Sequence, residues 1–325
     1  MNFTPQGINH RRLHKIKYYA SRVHLSLLPH AWLAKSLDNV LAEYARLPET
    51  AQQHIAKRVN YYNKLDGQFA LSGSLNTVGG FKKRGFSAYF YDLADYLRYF
   101  PADSVFAHEF GDVRDIATQP TLVKSRPIAD NNQNNVILKL DSVRHFYIYP
   151  DPFDYAEKND KLVWRGAAFE YQPHRMRFVQ QFHHHQQCDI ACIHHSSQGK
   201  PWHGAFMSVR DQLRHKFILS IEGNDVATNL KWIMASNSLC FMTTPKYETW
   251  LMEGLLQPNV HYVHLQDDYA DFDEKLLYYQ NNPAAAQKII AHAQAWMQPF
   301  FDEKQELITN LLVLKKYFEQ TQTGF

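Results

Sequence analysis

Residues 216–242 read KFILSIEGNDVATNLKWIMASNSLCFM, and the order of residue types in this stretch decides the fold. Residues 216–221 form an apolar run that predicts a strand, closed by Glu222-Gly223-Asn224-Asp225. Residues 225–236 carry apolar side chains at helical spacing, and 238–242 form a second apolar run. Strand, turn, helix, strand is a βαβ unit, which joins parallel strands through a crossover helix. Downstream, 247–256 predict a helix and 261–265 a further strand. Upstream, 162–164 predict a strand ending at Arg165-Gly166, and 175–183 a helix. Strands alternating with helices imply an α/β fold with a parallel sheet covered on both faces.

The turn at 222–225 has the chemistry of a phosphate site. Gly223 relieves steric limits in a tight turn. Asn224 or Asp225 suits the cap of the predicted helix. The N–H groups and partial positive charge at a helix start favour a diphosphate, and Lys231 on that helix adds charge. In open α/β sheets ligands bind beyond the carboxyl ends of the strands, where this turn lies. One glycine is a weak signal, and an ordinary βα turn explains it equally well. Arg165, set just before Gly166, suits a bidentate grip on phosphate. Arg175 and Arg177 open the next predicted helix, and Arg177 reads as a surface residue in salt bridges.

The rest of the chain places this unit in a larger molecule. Its 325 residues exceed what one core usually serves, which predicts two domains. Hydrophobic residues at 45% and charged residues at 21% are normal for a globular protein. The first hundred residues read as mainly helical: 31–46, 50–65 and 89–100, with Pro29 and Pro48 between them and a Gly/Ser-rich loop at 69–84. Short strands are predicted at 104–110, 121–124, 136–140 and 146–149, with a polar turn at 130–135. A proline-containing charged stretch at 150–160 marks a boundary, and 271–318 read as helical with breaks at Pro283 and Pro299. The expected domains are 1–157, 158–298 and a terminal helix within 299–325.

The three cysteines, Cys188, Cys192 and Cys240, are odd in number and make no disulfide framework, so a reducing compartment is expected. There is no apolar run of about 18 residues and no apolar signal-peptide core. The expected location is the cytoplasm, with a peripheral place on the inner face of the membrane as an extension. That extension rests on the N-terminus. Arg11, Arg12, Lys15, Lys17, Arg22 and Lys35 precede the first acidic residue, Asp38. Leu13, Ile16, Tyr19, Ala20, Val23 and Leu27 recur at helical spacing. An amphipathic basic helix on an anionic membrane and a solvated helix face fit this pattern equally.

The chain also holds His183, His184, His185, Cys188, Cys192, His194 and His195 close together. Such residues bind zinc, but the spacing matches no standard finger and consecutive histidines cannot all face one ion. A surface loop or helix end is the favoured reading, and no metal site is expected. A nucleic-acid-binding protein would account for the basic arm and the 14% aromatic content. A formal net charge of +3 and the lack of a recognisable module argue against it.

Several blocks resemble glycosyltransferase family 90, in particular its bacterial lipopolysaccharide A-type members. They are PTLVKSRP (120–127), LKLDSVRH (138–145), LVWRG (162–166), KFILSIEGND through Lys231-Trp232, YETW (247–250) and PNVHY (258–262). Their order and spacing are kept from about Val105 to the C-terminus. The resemblance implies a GT-B-like fold, two Rossmann-like domains facing a cleft with helical terminal segments. It implies inverting, metal-independent transfer from a UDP-sugar, with UDP on the C-terminal domain. UDP-sugar is then a co-substrate and no cofactor is needed. The acceptor implied is a surface glycan or glycolipid, lipopolysaccharide core first. A noncatalytic sugar-nucleotide-binding relative is the alternative. Eukaryotic members carry arginines where Glu222 and Asn229 stand here, so Arg165, Arg175, Lys231 and main-chain N–H groups must meet the diphosphate charge.

Inverting transfer requires a base at the acceptor hydroxyl. The resemblance places it in the loop before the 120–127 block, where Asp112 and Asp115 stand. Asp112 is preferred because Gly111 allows a sharp turn, and Asp115 is the alternative. Glu248, at the start of the predicted helix 247–256, suits ribose or sugar hydroxyls, though helix-end charge stabilisation fits it as well. Lys124 and Arg126 are expected to face the cleft.

Overall fold

The computed structural model describes residues 6–85 and 87–322, with side chains from residue 12 onward. Arg11 and the outermost residues of the expected domains therefore lie outside the described residues or side chains. In chain order the strands are β1 (Asn76–Thr77), β2 (Val105–Phe106), β3 (His108–Glu109), β4 (Thr121–Val123), β5 (Ser125–Pro127) and β6 (Asn135–Ile137). They continue as β7 (Asn159–Gly166), β8 (Cys188–Cys192), β9 (His215–Leu219), β10 (Leu239–Thr243), β11 (Tyr247–Thr249) and β12 (Val263–Leu265). The chain forms two compact units. One holds residues 6–12, 145–246 and 253–298; the other holds 13–144, 247–252 and 299–322.

The first unit is built on a five-stranded sheet in the order β12-β10-β9-β7-β8, with parallel pairing throughout. Its central strands read as continuous apolar runs because both faces are covered. Phe217, Leu219, Leu239, Phe241, Leu162 and Trp164 are buried in one core. Helices Pro173–Phe182, Phe272–Asn281 and Pro283–Met297 supply buried partners to that core, among them Phe178, Phe272 and Ile290. Pro173 and Pro283 stand at helix starts, where a missing N–H costs nothing.

The second unit contains a three-stranded parallel sheet, β3-β4-β6, and helices Glu49–Tyr62, Ser87–Leu97 and Glu303–Thr321. A buried polar network ties it together. Glu306 receives Arg58 and Lys139, each at 2.6 Å, and the Trp250 indole N–H at 2.7 Å. Tyr62 stacks on Trp250 with ring centres 3.8 Å apart. Orphaning a charge in such a network costs about 3–5 kcal/mol, which makes these contacts strong determinants of the local packing.

Several sequence expectations are corrected here. The run 31–46 divides into His30–Leu33 and Leu37–Ala45, because Ser36 caps the second helix by accepting from the Asn39 N–H. Residues 146–149 do not form a strand. The helix expected at 225–236 is present only as Leu230–Met234. Residues 225–229 are irregular instead, with a turn only at 228–229, and the Asn229 amide donates to the Leu219 carbonyl at 3.0 Å. The helix expected at 247–256 does not form. Residues 247–249 are β11, antiparallel to β5 with Glu248 opposite Arg126, followed by a 3-10 turn at Glu253–Leu255.

Candidate functional site

The order of the five-stranded sheet fixes where a ligand belongs. From β7 the chain crosses to β8 on one side, whereas β9, β10 and β12 follow on the other. The strand order thus reverses between β7 and β9. At such a switch point the loops after the two strands part and leave a crevice at their carboxyl ends. Those loops are 167–172 and 220–229. The second contains the turn with Gly223, in the place the sequence indicated.

Arg175 joins the two loops. Its guanidinium donates to the carbonyls of Ala167 at 2.8 Å, Ile221 at 2.8 Å and Glu222 at 2.7 Å. The Gln172 amide donates to Asn224 Oδ1 at 3.1 Å, and a His174 ring nitrogen lies 2.8 Å from the Glu222 carbonyl. Burial lowers the pKa of both Arg175 and His174. Gly223 allows this approach: a Cβ there would lie 3.2 Å from an Arg175 terminal nitrogen. Arg175 shapes the crevice and brings positive charge to it, but its N–H groups serve main-chain carbonyls rather than an open phosphate position.

On the other side of loop 167–172, towards the segment after β8, an open pocket of about 800 Å³ is walled by Ala168, Phe169, Tyr171, Met176, Lys200 and Trp202. Arg177 also lines it. Phe169 and Tyr171 lie parallel, 5.1 Å between centres, and Tyr171 is 68% exposed. A flat aromatic platform beside two cations suits a heteroaromatic base and its phosphates. Sequence reasoning set Arg177 aside and missed Phe169, Tyr171 and Lys200. The usable signal was a pair of aromatics two apart, directly after the Arg165-Gly166 strand end.

Four other expectations for the donor side are corrected. Lys231 is fully buried and pairs with Glu253 at 2.8 Å, so it does not meet a diphosphate. Arg165 stands within β7, and its guanidinium is taken by Asp189 and the carbonyls of Trp164, Asp189 and Ala205. Neither Asn224 nor Asp225 caps a helix, since the helix begins only at Leu230; Asp225 is itself buried. Glu248 is 1% exposed in β11, where it accepts from Arg126 at 2.7 Å and from the Tyr61 hydroxyl. It is a structural carboxylate and offers no face to a ribose. Gly166 has a packing role: a Cβ there would come within 2.6 Å of the Trp164 ring.

The second unit gathers charge at the carboxyl ends of its own parallel strands. Asp112 follows β3, Lys124 follows β4, and Asp141 follows β6. Lys124 is 2% exposed and holds Asp112 in an ion pair at 3.0 Å. Gly111 has φ +109°, a conformation that glycine adopts readily. Asp112 is one-third exposed by side chain, so its carboxylate is tethered yet open to solvent. Asp141 is buried, and burial raises its pKa to about 6 against the opposing pull of Arg144 and Lys124. Asp115 is exposed, and its carbonyl accepts from the Asn135 amide. Arg126, expected to face a cleft, is fully buried and donates to Glu248 and to the carbonyls of Tyr61, Tyr62 and Asn135. Lys124, likewise expected to face a cleft, is buried and turned to Asp112, and the sequence does not single out Asp141, which shares the block 138–145 with no local mark of its burial.

Among the described residues, no group of three or more His, Cys, Asp or Glu is placed to hold a metal ion. Cys188 lies in β8, and burial pushes its thiol up to about 12. Cys192 is buried in the same strand.

An α/β sheet with a ligand crevice at its switch point, and a separate carboxylate–lysine cluster, suit group transfer from a nucleotide-linked donor. Comparison with known proteins bears on the class. A family model described as "Glycosyl transferase family 90" matches residues 150–321. The curated protein "O-glucosyltransferase LpsA" from Dichelobacter nodosus is 54% identical over 309 residues, 95% of this chain and 96% of that protein. The chain therefore belongs to glycosyl transferase family 90 and is a glycosyltransferase. The solved structure titled "Crystal Structure of Glycosyltransferase from Rickettsia africae ESF-5" is similar at 12% identity and TM-score 0.38, covering 62% of this chain and 64% of that one. That likeness is too low to bear on the fold. No helix among the described residues is long and apolar enough to cross a membrane.

Proposed function

We propose that this glycosyltransferase moves a hexose or pentose from a UDP-sugar to a hydroxyl of a surface glycan, with inversion at the anomeric carbon and without a divalent ion. The observation that carries the donor half is the switch point between β7 and β9, with its two loops joined by Arg175. UDP occupies these loops, its phosphates towards the main-chain N–H groups of 220–229. Asp112 is the base. It takes the acceptor hydroxyl proton while that oxygen bonds to the anomeric carbon. The bond from that carbon to the β-phosphate oxygen breaks, and UDP leaves with the electron pair. Lys124 fixes the carboxylate in place. Catalysis of this kind needs charge stabilisation at the leaving phosphate, which preorganised cations and dipoles supply.

The printed name of the Dichelobacter relative favours glucose as the sugar and a lipopolysaccharide-type glycan as the acceptor. The test is turnover of UDP-glucose with a core-oligosaccharide acceptor in EDTA, followed by NMR of the new linkage. A β-linked product from the α-linked donor is expected. Asp112→Asn should lower kcat by about 10²–10⁴-fold while UDP binding stays intact. An α-linked product, or full transfer by Asp112→Asn, overturns the mechanism. Binding of UDP-sugar without transfer to any acceptor favours the noncatalytic reading.

A further inference from the structure

The second unit presents an apolar face that its own packing leaves open. At about 100° per residue, Leu13, Ile16, Tyr19, Val23 and Leu27 fall in one arc of the N-terminal helices. Tyr18, Arg22 and Leu25 lie on the opposite side and dock the helices. Tyr18 is buried, with its hydroxyl donating to Asp92 at 2.6 Å; Arg22 approaches Asp92 and Asp95; Leu25 is buried. The docked side thus fixes which side is left outward. Ile16 is 63% exposed, Leu27 73%, and Trp32, on the next helix, 78%.

Within residues 13–37 the charge has one sign, although Asp92 and Asp141 of neighbouring segments act on Tyr19. Lys17 flanks one edge of the arc and Lys15 the other, and both are exposed. From Leu13 to Leu37 the sequence holds no Asp or Glu. A groove of about 400 Å³ is lined by Leu25 on the docked side and Leu27 on the open one, with Leu33, Phe81, Lys82 and Lys83. It adds apolar depth and two further cations, Lys82 and Lys83, among its walls. Large apolar side chains including Tyr and Trp, bordered by lysines, match the boundary between acyl chains and anionic headgroups.

We infer that this face binds the surface of an anionic phospholipid bilayer, with Ile16, Leu27 and Trp32 entering the acyl boundary and Lys15, Lys17, Lys82 and Lys83 meeting the headgroups. The inference stands on the second unit alone and does not depend on the donor reading. None of these residues belongs to the transfer machinery.

The test is co-sedimentation of the full chain with vesicles of phosphatidylcholine alone or with one-third phosphatidylglycerol. Binding to the anionic vesicles and little to the neutral ones is expected, weakening as salt rises. Lys15→Gln and Lys17→Gln should each weaken binding roughly fivefold. Leu27→Ser with Trp32→Ser should reduce it further, with unchanged Tm and unchanged transfer to a water-soluble acceptor. No binding to anionic vesicles, or equal binding to both kinds, overturns the inference. So does a concentration-dependent dimer that the Leu27→Ser, Trp32→Ser variant abolishes, because the face would then belong to a second copy.

Discussion

Lys231 offers the sharpest test of how this chain uses its charges. The ammonium lies 2.8 Å from Glu253, and both groups are almost fully buried. At an effective dielectric of about 20 the Coulomb attraction at this separation is roughly 6 kcal/mol. Desolvation of two ions opposes it at several kcal/mol each. The pair as a whole thus contributes little net stability, whereas removing one member takes from the other, buried ion its partner at 2.8 Å. Lys231→Met is expected to destabilise the protein by about 3–5 kcal/mol. Glu253→Leu alone should cost a similar amount. The double variant should recover most of the loss, a coupling of a few kcal/mol between the two changes. Urea unfolding of the four proteins measures this, with UDP affinity of each followed by calorimetry. Affinity should be unchanged in the double variant. Additive destabilisation, or a large loss of UDP affinity in a double variant of near-normal stability, would refute the structural role and return Lys231 to the phosphate.

Three further outcomes follow from the same contacts. Asp141 has a folded-state pKa of about 6 against an ordinary 3.8, so the folded state holds its proton more tightly than the unfolded one. Its contribution to stability is full below about pH 4 and is lost as pH rises through 6, roughly 3 kcal/mol in all; the decline should be shallower in unfolding titrations of Asp141→Asn, with Asp92, which burial also raises to about 6, supplying the remainder, and an unchanged slope refutes it. Gly166→Ala drives a Cβ against the Trp164 ring and should cost about 1–3 kcal/mol in urea unfolding, whereas a change within about 0.5 kcal/mol, ordinary for a surface site, would show that the ring can give way. Glu248→Gln unpairs the buried Arg126 and should lower stability by about 3 kcal/mol without altering UDP-sugar affinity; the reverse pattern would place Glu248 at the donor.

The strands of the five-stranded sheet were legible in the sequence because buried parallel strands read as apolar runs. Residues 216–221 and 238–242 came out within two residues of β9 and β10. The helix at 225–236 was overread: Val226, Leu230, Ile233 and Met234 have helical spacing, but the Asn229 amide prefers the Leu219 carbonyl and delays the helix. The strand at 247–249 was misread because its partner is β5, 122 residues away between Glu248 and Arg126. No local pattern reveals a bond across that distance. The same limit explains the donor residues. Arg165, Lys231 and Arg126 look like free cations in the sequence, and each is matched by a partner that only the fold supplies. The turn at Asp112 is legible because Gly111 marks it locally, whereas the burial of Lys124 against Asp112 is not.

The central claim is that nucleotide-sugar binds at the β7–β9 switch point. Hydrogen exchange of the full chain, with and without UDP-glucose, tests it most directly. Slowed exchange is expected in residues 167–172 and 220–229, diminished in Arg175→Met. Protection elsewhere, with these two loops unchanged under saturating donor, would contradict it.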